Sequence, residues 1–199
     1  MEKKKNIKLS KIIINIGRIV SCYKYAFLEL LAIKTRFFNN LLMNWRKPIF
    51  LNEIKMANVT KKDRVLHIGC GLFPSESVLI AEKTKAKVIG IDNSIIAVKI
   101  ARKYVKKKGL SDLIKIEHRD GRNYPVNDFD VIFIAINVWP IDTVLKYLSS
   151  NIKKGTRVMC KSYKNDIIDV LKNEGLSDSL HLKSKLQNPQ TQSFLLIKK

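Results

Sequence analysis

Gly69 and Gly71 stand two residues apart at the end of the apolar run Val65-Leu66-His67-Ile68, and a helix-forming stretch begins at Pro74. Residues without a Cβ let the chain turn tightly and let a ligand approach the backbone, while the N–H groups at a following helix start offer donors to a carboxylate or phosphate. Pro74 suits the first helical turn, where no N–H is needed. The next apolar run, Val88-Ile89-Gly90-Ile91, ends on Asp92, 23 residues after Gly69. A carboxylate there can accept hydrogen bonds from two ribose hydroxyls, so the two features together point to a ligand containing a nucleoside. A dinucleotide fingerprint would place its third glycine at position 74, where this chain has Pro74, which disfavours NAD.

Other residues with chemical potential fall at the ends of later apolar runs. Glu117-His118-Arg119-Asp120-Gly121 puts Asp120 where a carboxylate can contact an adenine amino group. Ala135-Ile136-Asn137-Val138-Trp139-Pro140 follows a run that should end at the carboxyl edge of a sheet, where substrates bind in open α/β folds. Asn137 could orient a second substrate there, and Trp139 could stack on a ring or pack in the core. Tyr163 follows another run at the same edge, as a catalytic phenol or as packing. Cys70 lies inside the glycine turn, and Cys160 ends a run where a thiolate could act or a buried thiol could simply pack. With Cys22, these thiols are far apart and form no CxxC pair, and His118 and His181 are isolated, so no metal site and no disulfide framework are expected.

The elements that must position these residues are readable from periodicity. Strands are predicted over Arg64–Ile68, Lys87–Ile91, Ile114–His118, Asp130–Ala135 and Arg157–Lys161. Helices are predicted over Pro74–Thr84, Ser94–Lys108, Ile141–Asn151 and 165–174. Strands alternating with helices specify a parallel sheet. The tail breaks the alternation, with His181–Leu186 and Ser193–Lys198 reading as a closing antiparallel hairpin. Residues 1–60 form a basic helical extension or cap and 61–199 the ligand-binding domain. Phe27, Leu30, Leu31, Phe38, Leu41 and Leu42 recur at helical spacing, and Pro48 is expected to separate a long helix from a shorter one. The preferred role of this cap is to fold back over the following domain.

Composition narrows the classes. The chain has 199 residues, 46% of them hydrophobic, enough to bury a core and to exclude global disorder. The net charge of +21 favours anionic partners, nucleic acid included, but the lysines are spread along the whole chain rather than gathered into a patch. No apolar run is long enough to span a bilayer, and Asn15 and Arg18 interrupt the segment that most resembles a signal peptide. Cytoplasmic residence is the expectation, with peripheral contact between the basic N-terminal helices and an anionic membrane as an alternative role.

The combination of Val65 through Gly71, Asp92, and Asp120 with Gly121 resembles the class I S-adenosylmethionine-dependent methyltransferases, whose pattern is VLDIGCG, an acidic end to strand two, and GDA after strand three. The resemblance covers residues 60–199 and implies a Rossmann-like α/β fold: a mostly parallel seven-stranded sheet with a reversed last strand. It implies S-adenosylmethionine as cofactor, held by His67, Gly69, Cys70, Gly71, Asp92, Asn93, Asp120, Gly121 and Ala135. The acceptor is not implied; a small molecule is slightly favoured. The family usually has an acid where this chain has His67, and a third glycine near Phe73. Gly69, Gly71 and Pro74 also resemble the GSGPLP turn of the nicotianamine synthase group, which implies transfer of the aminobutyrate arm instead of the methyl group.

Overall fold

The computed structural model describes residues 23–163, 166–189 and 191–199. The chain enters through two helices, α1 (23–34) and α2 (Arg36–Met56), joined at Thr35, whose side chain accepts the Phe38 N–H as an N-cap. The alternating domain follows: β1 (Arg64–Ile68), α3 (Ser75–Thr84), β2 (Lys87–Asp92), α4 (Ile95–Lys107), β3 (Ile114–His118), β4 (Val131–Ile134), α5 (Ile141–Asn151), β5 (Arg157–Ser162), α6 (Asp166–Asn173), β6 (Leu180–Gln187) and β7 (Gln192–Lys198).

The seven strands form one sheet in the order β3-β2-β1-β4-β5-β7-β6. Strands β1 to β5 pair in parallel, while β7 runs antiparallel to both β5 and β6. The closing hairpin therefore inserts its second strand beside β5 and leaves its first at the edge. Helices packed on both sides bury the central strands β1 and β4 on both faces, so they read as nearly continuous apolar runs, whereas edge strand β3 alternates, with Ile114 and Ile116 buried and Lys115 exposed.

Alternation along the strands divides the core in two. Val65, Met159 and Leu195 pack with Phe50 and Ile54 of α2, Val78 and Leu79 of α3, and Val98 and Ala101 of α4. Leu66, Ile68, Val158 and Cys160 face the other way, against Val144, Leu145 and Leu148 of α5 and Ile167 and Leu171 of α6. By the same alternation His67, Lys161 and Ser193 share the α2–α3 side of the sheet.

The break expected at Pro48 is not there. Pro48 lies inside the continuous helix α2, and the helical path is interrupted at Thr35 instead. Pro48 removes one donor, but it and Asn44, four residues earlier, are exposed, so the carbonyl left over can be hydrated. Apolar contacts of Leu42 and Met43 before it and of Phe50 and Ile54 after it hold both halves against the same core. Beyond the helix, Arg157 of β5 donates to the carbonyls of Ala57 and Asn58 at 2.7 and 2.6 Å and pairs with Asp63, locking the end of the cap to the sheet.

Candidate functional site

A cavity of about 530 Å³ opens along the carboxyl ends of the parallel strands, roofed by α1 and α2. That volume is in the range of small-molecule and cofactor sites, and the location is where open α/β sheets bind ligands. Of the residues expected to bind or react, His67, Gly69, Cys70, Gly71, Asp92, Asn93, Asp120, Gly121, Ala135, Asn137 and Trp139 all line it. Tyr163 does not. Its hydroxyl instead donates to that of Tyr25, which does line the cavity, at 3.4 Å.

The glycine turn after β1 is the centre of the arrangement. Gly69 and Gly71 have φ of 77° and 68°, the left-handed region that costs other residues free energy. The N–H of Gly71 donates to Oδ2 of Asp92 at 2.9 Å, and Oδ1 of the same carboxylate accepts the Ser94 N–H at 2.9 Å. Asp92 thus ties the turn after β1 to the start of α4. At Gly121 an added Cβ would come within 2.5 Å of the Ile68 side chain, so the floor there is bare backbone. Asp120 is held in a fork by Arg122, with Nε at 3.0 and 3.1 Å from its two oxygens, and that hydrogen bonding keeps its carboxyl below the usual carboxylate range.

The cap supplies a further wall. Glu29 of α1 pairs with Arg46 of α2 at 3.1 Å and accepts the Phe73 N–H at 3.4 Å, placing its carboxylate directly over the glycine turn. Burial pushes this carboxyl up, against the opposing pull of Arg46. Trp45 and Trp139, 43% and 52% exposed, stand at the rim with Ile96.

The largest surprise lies on the α2–α3 side, at the β5 end of the cavity. Lys161 Nζ donates to both oxygens of Glu76 at 2.8 and 2.7 Å and lies 3.1 Å from Oε2 of Glu53, with the Phe50 ring 4.6 Å away. His67 meets Ser77 Oγ through Nδ1 at 2.8 Å and stands 3.3 Å from Glu76 through Nε2. Ser193 donates to Glu53 at 2.5 Å and Asn188 donates to Ser193 at 2.9 Å. All of these side chains are essentially buried.

Burial opposes the charges in this cluster, and the pairing decides which survive. Burial lowers the Lys161 ammonium, but Glu53 and Glu76 together raise it above its ordinary value. Burial likewise works against ionised Glu76, yet Lys161 and His67 hold it well below the usual carboxylate range. For Glu53 burial wins: its carboxyl is pushed up to about 7, with Lys161 opposing and Glu76 adding to the rise.

Sequence reasoning missed Tyr25, Glu29, Arg46, Glu53, Glu76 and Lys161. The signal available was a lone charge within an apolar run, as in Val158-Met159-Cys160-Lys161 and Glu76-Ser77-Val78-Leu79-Ile80. Neither described thiol is set up as a nucleophile, because Cys70 and Cys160 are buried and burial pushes both well above the ordinary thiol value. Cys22 lies outside the described residues. No group of three His, Cys, Asp or Glu side chains among the described residues could hold a metal ion, and no described helix is long and apolar enough to cross a membrane.

Comparison with known proteins bears on this geometry. Residues 65–155 match the family model described as a methyltransferase domain. Over 79 residues, 39% of this chain, the sequence is 33% identical to a sterol 24-C-methyltransferase of Pneumocystis carinii, and the match spans only 21% of that relative's length. A crystal structure of an RNA methyltransferase from Salinibacter ruber in complex with S-adenosyl-L-homocysteine superposes with a TM-score of 0.64 at 18% identity, covering 77% of this chain and 92% of that one. A mutant of MtNAS, a nicotianamine synthase, in complex with S-adenosylmethionine superposes with a TM-score of 0.71 at 17% identity, covering 94% of this chain and 75% of that one. The fold is the Rossmann-like one these proteins share.

Proposed function

We propose that this chain, whose residues 65–155 carry a methyltransferase domain, is a transferase that binds S-adenosylmethionine in the roofed cavity and passes its methyl group to a small-molecule acceptor. The observation that carries the reading is the Asp92 bridge. A carboxylate fixed by the Gly71 and Ser94 N–H groups stands beside a glycine turn whose backbone is left bare for a ligand.

The residues present fit the cofactor. Asp92 would receive the ribose hydroxyls, Gly69 and Gly71 would admit the chain of atoms beyond the ribose, and Asp120 with Gly121 would bound the adenine. When bound, S-adenosylmethionine supplies an electrophilic carbon on sulfonium, to which an acceptor's lone pair adds as the carbon–sulfur bond breaks. The protein's part is to bring the two together and exclude water, the main lever for such a displacement. Glu29, Arg46 and Trp45 of the cap close the roof, while Asn137 and Trp139 stand at the edge where an acceptor would enter. A volume of about 530 Å³ roofed by helices suits an acceptor that fits inside, which favours small molecules over nucleic acid.

A second reading has its own support. The MtNAS superposition covers 94% of this chain, an extent that cannot be reached without the helices before β1. Transfer of the aminobutyrate arm would then replace methyl transfer. The test is product analysis after turnover with candidate acceptors: S-adenosylhomocysteine supports methyl transfer, methylthioadenosine supports arm transfer, and release of neither contradicts both.

A further inference from the structure

The outer face of the cap is apolar and basic at once. On α1, Tyr23 and Phe27 stand four residues apart, and on α2 Phe37, Leu41 and Trp45 follow at the same interval, so each set forms a stripe along its helix. Phe27, Phe37 and Leu41 are 61, 71 and 57% exposed, on faces where a helix that meets only water carries polar side chains. The exposed charges of the two helices are all positive: Lys24, Lys34, Arg36, Lys47 and Lys55. Their two acids are turned inward, Glu29 to Arg46 and the glycine turn, Glu53 into the buried cluster.

The stripe on α2 runs into the mouth of the cavity. Trp45, at its end, lines the cavity together with Ile96 of α4 and Trp139, and all three are exposed. We propose that this face seats on an anionic lipid surface, with Phe27, Phe37, Leu41 and the rim residues entering the headgroup boundary and the lysines and Arg36 meeting lipid phosphates. Aromatic and aliphatic side chains with Lys and Arg beside them are the pattern of helices that lie in a bilayer interface, where basic heads reach anions while their stems stay apolar. Charge complementarity favours this occupant, because a second copy of the chain would set the same cations against each other. Nucleic acid matches the charge but leaves Leu28, Leu41 and Ile96, which have no ring to stack on a base, exposed without a role. The sequence before α1 adds Lys3, Lys4, Lys5, Lys8, Lys11 and Arg18 against Glu2, a charge of the same sign. Seated in this way, the cavity opens toward the membrane. The inference needs no bound cofactor and so does not rest on the transferase reading.

Co-sedimentation of the full chain with vesicles of phosphatidylcholine and phosphatidylglycerol, against vesicles of phosphatidylcholine alone, tests this. Wild type is compared with a triple variant, Phe27→Ser with Phe37→Ser and Leu41→Ser, which alters no residue lining the cavity and is checked for its thermal transition. Anionic vesicles should bind wild type at least about tenfold more tightly than neutral ones, less so as salt rises, and the variant should bind them about tenfold or more weakly. The chain's two tryptophans both stand at the rim, so their emission should shift to shorter wavelength on binding and be quenched by brominated lipid. Should the triple variant lose its thermal transition, Lys24→Gln with Lys34→Gln and Arg36→Gln takes its place and should lose the preference for anionic vesicles. Failure of wild type to bind anionic vesicles, equal binding by the folded variant, or binding that leaves both tryptophans in water overturns the proposal. So does a wild type that dimerises through these side chains instead of binding vesicles, or that prefers an oligouridylate to vesicles and binds it as well when the three apolar side chains are gone.

Discussion

The backbone N–H of Gly71 donates to Asp92 Oδ2 at 2.9 Å, joining the turn after β1 to the end of β2 across 21 residues of chain. One carboxylate therefore shapes the glycine turn and, in the proposed function, would also receive the ligand's ribose. Because Asp92 also caps Ser94, the same residue orients the start of α4. Removing it should affect the binding site well beyond a single lost contact.

Gly71 is constrained twice, by its φ of 68° and by Glu29, whose Oε2 lies 2.9 Å from where a Cβ would stand. Gly71→Ala should cost about 1–2 kcal/mol from the backbone alone. Chemical denaturation should show that Glu29→Ala in the same chain recovers part of the total loss, the part caused by collision.

Lys161→Met would leave Glu53 and Glu76 facing each other without a cation. Stranding buried charge in this way costs about 3–5 kcal/mol. Urea denaturation of Lys161→Met and of Lys161→Met with Glu76→Gln should show the double variant more stable than the single one, since it strands one carboxylate fewer.

Glu53 gives stability an uncommon pH slope. Its folded-state carboxyl, pushed up to about 7, holds a proton where the unfolded chain has released it. This group's contribution is thus fully present below the ordinary carboxylate value and is lost as pH rises to about 7. Glu76, held low, works oppositely: its contribution is present above the ordinary value and lost on acidification. Between pH 5 and 8, Glu53→Gln should remove a decline in wild-type stability on the order of 2 kcal/mol. Melting curves across that range, in which the two proteins keep the same slope, would contradict the assignment.

The sheet was legible because its central strands β1 and β4 are buried on both faces and the turn after β1 carries glycine, so Val65 through Gly71, Asp92 and Asp120 stand out locally. The hairpin was legible as a hairpin, but the insertion of β7 next to β5 depends on pairing such as Cys160 with Phe194, which no local pattern encodes. Pro48 misled because propensity ignores the apolar contacts on both sides of it. Glu53 and Ser193 are 140 residues apart in the chain yet hydrogen-bonded, and Glu29 of α1 reaches the Phe73 N–H in the loop after β1. In the sequence such acids look like the solvated face of an amphipathic helix, and only the closure of the cap over the sheet buries Glu53 and makes Glu29 part of the wall of a cavity.

The most direct test of the central claim is calorimetric titration of S-adenosylmethionine, S-adenosylhomocysteine and NAD into wild type and Asp92→Ala. The account predicts that both adenosyl-sulfur compounds bind wild type, that NAD does not, and that Asp92→Ala weakens binding by about a hundredfold or more, roughly the loss of two hydrogen bonds to a charged group. Wild-type protein that ignores both compounds, or an Asp92→Ala variant that stays folded and binds them as wild type does, would contradict it.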